Sequence, residues 1–189
     1  SDLPEEQAAA LRQQTKSPLI YTTLGMKNWR AVHEIGMGLA MSPGNMHQAV
    51  FMDFPVSLGG YEYTRTPDDP CVLQMISSPF GDTVGAPKEE QFSEARYRML
   101  SRGFEVYEQE IRSHLGGMLP SGSFDFDRDV ESITVNRWAH GYTSAGSPES
   151  VERGRQPFGR ITVANCDSAP GADAQLAIEM AARAVRELA

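Results

Sequence analysis

Cysteine is almost missing from this chain: Cys71 and Cys166 are the only two among 189 residues. Two isolated thiols cannot build a disulfide framework, and they lack the paired spacing of a zinc site. A reducing, cytoplasmic setting is the resulting expectation. Basic residues are outnumbered, with 17 Lys+Arg against 25 Asp+Glu and a net charge of −8. Since there is no basic run either, no nucleic-acid partner is expected. No apolar stretch approaches the roughly 18–20 residues of a membrane span. The N-terminus lacks the charged-then-apolar pattern of a secretory signal. Several chemical motifs fail on single positions. His33-Glu34 opens like H-E-x-x-H, but the fifth position is Met37. Asp125, Asp127 and Asp129 open like a calcium loop, yet Val130 stands where Gly is needed and Asn136 where Glu is needed. Neither G-x-S-x-G nor C-x-x-C-H occurs. No metal site is expected.

What is present is ordinary globular composition, 40% hydrophobic and 22% charged. The length predicts one domain, or one and a fraction. Pro4 and two glutamates before an alanine run predict a surface helix or linker over 1–16. β-branched and aromatic residues predict strands over 17–24, 47–54, 71–77 and 130–138. A short helix is expected from Lys27 to Ile35, a loop over 36–46, and a turn at Gly59-Gly60. Over 88–115 the residues Phe92, Met99, Leu100, Phe104, Tyr107, Ile111 and Leu115 recur every three or four positions, which predicts one long helix stopped by Gly116-Gly117. Residues 141–157 read as a Gly/Ser/Pro loop, 159–165 as a short strand and 172–188 as a second long helix. The pattern is α+β.

The densest signal is the strand–turn–helix at the C-terminal end, where GRITVANCD precedes Ser168 to Gly171 and a helix rich in alanine. Small side chains let such a helix approach a sheet or a flat ligand closely. Its first turn offers N–H groups and the positive end of the helix dipole to an anionic or carbonyl-bearing group. The plain alternative is an ordinary strand–loop–helix with Asp173 as N-cap. Elsewhere, Tyr61 and Tyr63 could line an amine pocket through their ring faces or simply pack on a strand.

The stretch from Gly159 to Leu188 resembles the C-terminal flavin segment of the FAD-dependent amine oxidase superfamily, in which a strand of the type F-A-G-x-E leads into a helix G-A-x-x-S-G-x-R-A-A. Thr134 to Tyr142 resembles the R-W…G-x-Y block that precedes it. Ser17 to Trp29 and Phe54 to Tyr61 look like the substrate domain. Spermidine dehydrogenase-like FAD/NAD(P)-binding oxidoreductases are the relatives suggested. The resemblance implies a mixed-sheet substrate domain over 17–140 with packed long helices. It also implies a C-terminal segment, 141–189, supplying the last strand and helix of an FAD-binding Rossmann-type domain. By the same resemblance Asn165, Cys166, Asp167, Ala174 and Gln175 would hold FAD, Trp138, His140 and Tyr142 would face an amine or amino-acid substrate, and Arg183 would match the helix's late Arg.

Three departures qualify this likeness. The family's Gly-Glu is Asn165-Cys166-Asp167 here, with the acid one methylene shorter. The lysine expected ten residues before Trp29 is Leu19. The dinucleotide fingerprint G-x-G-x-x-G is missing; Gly36-Met37-Gly38 and Gly59-Gly60 do not sit between a strand and a helix. The expectation is therefore a C-terminal part or subunit of a flavin-dependent oxidoreductase. A second polypeptide would carry the Rossmann half. The alternative is a scaffold subunit that keeps the fold without the flavin.

Overall fold

Alternation of apolar residues along 15–26 produces a strand with one buried face. In the computed structural model of the chain, which describes residues 2–144, 147–169 and 171–188, this is β1, Thr15–Met26. Ile20, Thr22, Leu24 and Met26 all point inward. The further strands are β2, Leu39–Met41, β3, Ala49–Met52, β4, Cys71–Ser77, and β5, Val130–Ser144. The sheet order is β2-β3-β4-β1-β5. The pairs β2/β3, β3/β4 and β4/β1 are antiparallel, with Ile20 opposite Ser77 and Met26 opposite Cys71. The helices are α1, Glu5–Arg12, α2, Arg30–Glu34, α3, Lys88–Ser101, α4, Phe104–Met118, α5, Phe126–Asp129, α6, Pro148–Gly154, and α7, Ala174–Glu187. The α+β class is as expected.

Two compact units divide these elements. One, residues 19–79 and 96–138, carries most of the sheet. Its core joins Ile20, Leu24, Val50, Leu73 and Met75 of the strands to Tyr107, Ile111 and Leu115 of α4. Burying one such aliphatic side chain is worth roughly 1.5–3 kcal/mol, so this stripe of α4 fixes the helix on the sheet. A polar knot ties the start of β5 to the end of β1. The Asp129 carboxylate, 2% exposed, accepts from Arg128, from Asn28 Nδ2 and from the Asp125 backbone N–H. The Asp129 carbonyl takes the Lys27 N–H.

The other unit comprises residues 1–18, 80–95 and 139–189. Here α1 packs on α6, and Gln7 Nε2 reaches the Gly154 carbonyl at 3.2 Å. Gln7, Ala8 and Ala10 are buried, so α1 is only half a surface helix. The segment Cys166–Ser168 forms one 3-10 turn against α7.

Five expectations need correction. The long helix over 88–115 is two helices broken at Arg102-Gly103, because Gly103 takes an extended conformation at the N-cap of α4. The break frees the Met99 carbonyl from its helical partner, and the Tyr107 hydroxyl donates to it at 2.7 Å instead. Gly116-Gly117 does not stop α4. It ends at Met118 because Leu119, preceding Pro120, is driven into extended conformation. The expected loop over 141–157 holds the end of β5 and all of α6. Ser147 caps that helix by accepting from the Ser150 N–H at 3.2 Å, with Pro148 in its first turn. Ala145, Gly146 and Pro170, which fall in expected loops, lie outside the described residues. Finally, 159–165 is no paired strand. Among the described residues it forms only a bridge between Phe158 and Ile161 around Gly159, whose φ is 61°. A strand needs a neighbouring strand for its N–H and C=O groups; here Arg183 takes the Val163 carbonyl and Ser168 the Asn165 N–H and carbonyl instead. The loop expected at 36–46 also contains short β2.

Candidate functional site

Asp167 sits in the 3-10 turn, which Ser168 locks by donating its hydroxyl to the Asn165 carbonyl at 2.6 Å and accepting from the Asn165 N–H at 3.3 Å. The Asp167 side chain is 13% exposed and its Oδ2 is ion-paired with Lys16 Nζ. Asn165 Nδ2 donates to the same oxygen at 3.3 Å. Oδ1 accepts no hydrogen bond from the described residues and is left for a further donor. Lys16 lies 151 positions away in sequence and went unnoticed there. No spacing rule connects the two residues.

Ala174 and Gln175 open α7 as expected, but two of the first-turn donors are already engaged. Asp173 Oδ1 accepts from the Gln175 N–H at 2.7 Å and the Leu176 N–H at 3.2 Å. The plain N-cap reading of Asp173 is thus realised. The Gln175 side chain turns along the helix to Glu179 at 3.0 Å. Cys166 is a half-buried free thiol. Arg183 clamps the approach to the turn: its guanidinium donates to the Val163 carbonyl at 2.6 Å and to the Arg155 carbonyl at 3.1 Å. It is held in place by Glu187 at 2.9 Å.

Trp138, His140 and Tyr142 recur at every second residue of β5 and so share one strand face. All three are exposed. The Trp138 ring lies 6.2 Å from that of Tyr21 between centroids. Tyr61 and Tyr63 lie outside every strand, in the turn-rich segment between β3 and β4, so strand-face packing is not their role.

The donor set tests what the Asp167 turn can accept. It presents one open carboxylate oxygen, a side-chain amide and small residues at a helix start. These fit hydroxyl and amide edges such as a flavin and its ribityl chain present. Nothing among them is cationic toward a pyrophosphate, because Lys16 is spent on Asp167 and Arg183 on carbonyls.

α7 has two apolar faces. Leu176, Ala177, Met180 and Ala184 turn toward their own unit, whereas Ile178 and Val185, 70% and 69% exposed, lie with Ala174, Ala181, Ala182 and Leu188 on the other. No described helix is long and apolar enough to cross a membrane.

No protein-family model matches the sequence, and no curated protein matches it. Solved structures do. Putrescine oxidase bound to putrescine matches with a TM-score of 0.67 at 16% identity. A double and a triple mutant from a redesign of cofactor binding in putrescine oxidase match with TM-scores of 0.64 and 0.63, each at 17% identity. Every one of these matches covers 98% of this chain and 38% of the other. The chain spans well under half the length of those structures, and over that span its fold is similar to theirs.

Proposed function

We propose that this chain is the substrate-domain and C-terminal flavin segment of an FAD-dependent oxidoreductase acting on an amine or amino-acid-like substrate. The observation that carries the reading is the fold likeness to putrescine oxidase over 98% of the chain. The flavin, when bound, would supply the hydride acceptor. Asp167 Oδ1 and Asn165 would hold its hydroxyl and amide edges, with Ala174 and Gln175 keeping the helix start close. Lys16 and Arg183 would position the turn without touching the flavin. Trp138, His140 and Tyr142 would bound the substrate side and exclude water.

The nucleotide tail needs a dinucleotide fingerprint that these residues do not contain. Further polypeptide, continuous with this chain or separate from it, would provide that half. One observation supports such a partner: the apolar face of α7 that carries Ile178 and Val185 is exposed.

A second reading, a scaffold that keeps the fold without flavin, is favoured by the Asp173 side chain occupying two first-turn donors. Colour separates the two. The chain purified without denaturant, with every polypeptide that accompanies it, is expected to be yellow and to release FAD on acid treatment. Asp167→Asn is expected to lower FAD occupancy and, because it also breaks the ion pair with Lys16, the thermal midpoint; Lys16→Gln, which breaks the same pair, is expected to lower the midpoint and keep the flavin. A colourless assembly, or unchanged occupancy in Asp167→Asn, would count against the assignment.

A further inference from the structure

Between β3 and β4 the chain lines an open cleft of about 530 Å³ in the sheet-bearing unit. Ligand clefts commonly measure roughly 300–1,000 Å³. Two tyrosines, Tyr61 and Tyr63, line it. Tyr61 is 49% exposed, and neither ring stacks on another described aromatic side chain, nor does either phenol bond to a described residue. Tyr61 thus leaves apolar ring surface exposed in the cleft, and Tyr63 is half-buried beside it.

The charge around them is net negative. Glu62, Asp69 and Arg65 also line the cleft. Arg65 is paired with Glu62 at 2.7 Å. The Asp69 carboxylate is held by backbone N–H groups, from Thr66 at 2.8 Å and from Arg65 at 3.0 Å, which keep its pKa below the usual carboxylate value. The nearby Arg65 guanidinium also favours the charged carboxylate, so Glu62 and Asp69 share one cation and the rim keeps an excess of negative charge. Burial, then the neighbouring Cys71, Asp53 and Tyr61, hold the Tyr63 phenol above its ordinary pKa, so it adds no charge at neutral pH.

The walls are set before any ligand arrives. Leu58 and Tyr61 bridge around Gly59, and Trp29 Nε1 donates to Thr64 Oγ1 at 2.7 Å. A preorganised site loses less entropy on binding.

We propose that this cleft is a binding site for a small organic cation of the alkylammonium type, held by the Tyr61 and Tyr63 ring faces and the acidic rim of Glu62 and Asp69. Aromatic faces attract such cations through the ring quadrupole, and carboxylates nearby add Coulomb attraction. The inference rests on residues that have no part in the proposed flavin segment. It requires neither flavin nor turnover, so its failure would leave that proposal standing.

Choline and its neutral isostere 3,3-dimethylbutan-1-ol form the test, titrated into the full chain at low salt with backbone NMR shifts as readout. Choline is expected to shift Tyr61, Glu62 and Tyr63 saturably, and the alcohol to bind roughly tenfold more weakly or not at all. Tyr63→Leu should weaken choline roughly fivefold. Glu62→Gln, which removes one rim charge and its exposed ion pair with Arg65, should weaken it about twofold, with an unchanged spectrum elsewhere certifying the fold. Equal binding of the alcohol would reduce the cleft to an apolar depression and overturn the proposal. So would saturation mapping elsewhere, no saturation, or wild-type affinity in both variants.

Discussion

His47 is the residue whose chemistry reaches furthest into the stability of the chain. Its ring is 1% exposed, and Nε2 lies 2.8 Å from the hydroxyl of Thr22, itself fully buried in β1. Burial first, then the nearby His114, lower its pKa to about 4. His114, buried on α4 with neither ring nitrogen bonded, is lowered too by burial, against a raising contribution from Glu110. The sign follows from proton counting. An unfolded His47 titrates near 6.5, so between pH 6.5 and 4 the unfolded chain binds more protons than the folded one, and stability falls as pH falls. The contribution from His47 is full above about pH 6.5 and amounts to on the order of 3 kcal/mol at its limit. Urea unfolding between pH 7 and pH 4 should show this loss. His47→Gln, which keeps a partner for Thr22, should flatten most of it; an equal slope in the variant would remove His47 from the account.

At the scale of elements, the break between α3 and α4 is where local pattern and tertiary structure part. The hydrophobic period runs unbroken through 92–115, so the sequence reads as one helix. The interruption depends on Gly103 and on a hydrogen bond that joins Tyr107 to Met99 across it, which no periodicity encodes. Tyr107→Phe keeps the buried ring and removes only the hydroxyl, leaving the Met99 carbonyl without its partner. The expected cost is about 1–2 kcal/mol in chemical denaturation. A variant as stable as the parent would mean that the carbonyl finds another donor. The same contrast runs through the rest of the fold. β4 was legible to the residue, because Pro70 and the polar Ser77-Ser78 bound a run that is apolar except at Gln74. α6 was misread as loop because Ser147-Pro148 serves equally as turn or as helix start. Of the strand–turn–helix expected around Asp167, the turn and the helix form and the strand does not, and Lys16, which pairs with Asp167, comes from distant sequence. The Asp173 cap was visible in advance, since an Asp before a helical run is a strong N-cap signal.

The whole molecule poses the question of what lies against α7. A helix whose apolar residues occupied one face would be finished by its own unit. Here Ile178, Val185 and Leu188 lie on a second face that the described chain leaves open, and the solved structures of similar fold are longer by more than half. The proposed Rossmann half would be the occupant of that face. Ile178→Glu with Val185→Glu tests this without touching the chain's own core, since both side chains are already in water. Surface substitutions of this kind change stability by only about 0.5 kcal/mol, so the thermal midpoint should hold. A carboxylate pressed into an apolar interface, by contrast, must be desolvated without a partner. The double variant is therefore expected to lose its companion half in native mass spectrometry, and FAD with it, while the parent retains both. If the variant kept the companion and the flavin, the open face of α7 would have no share in assembly. The segment 162–165, which pairs with no strand among the described residues, would then be the place to look for the join.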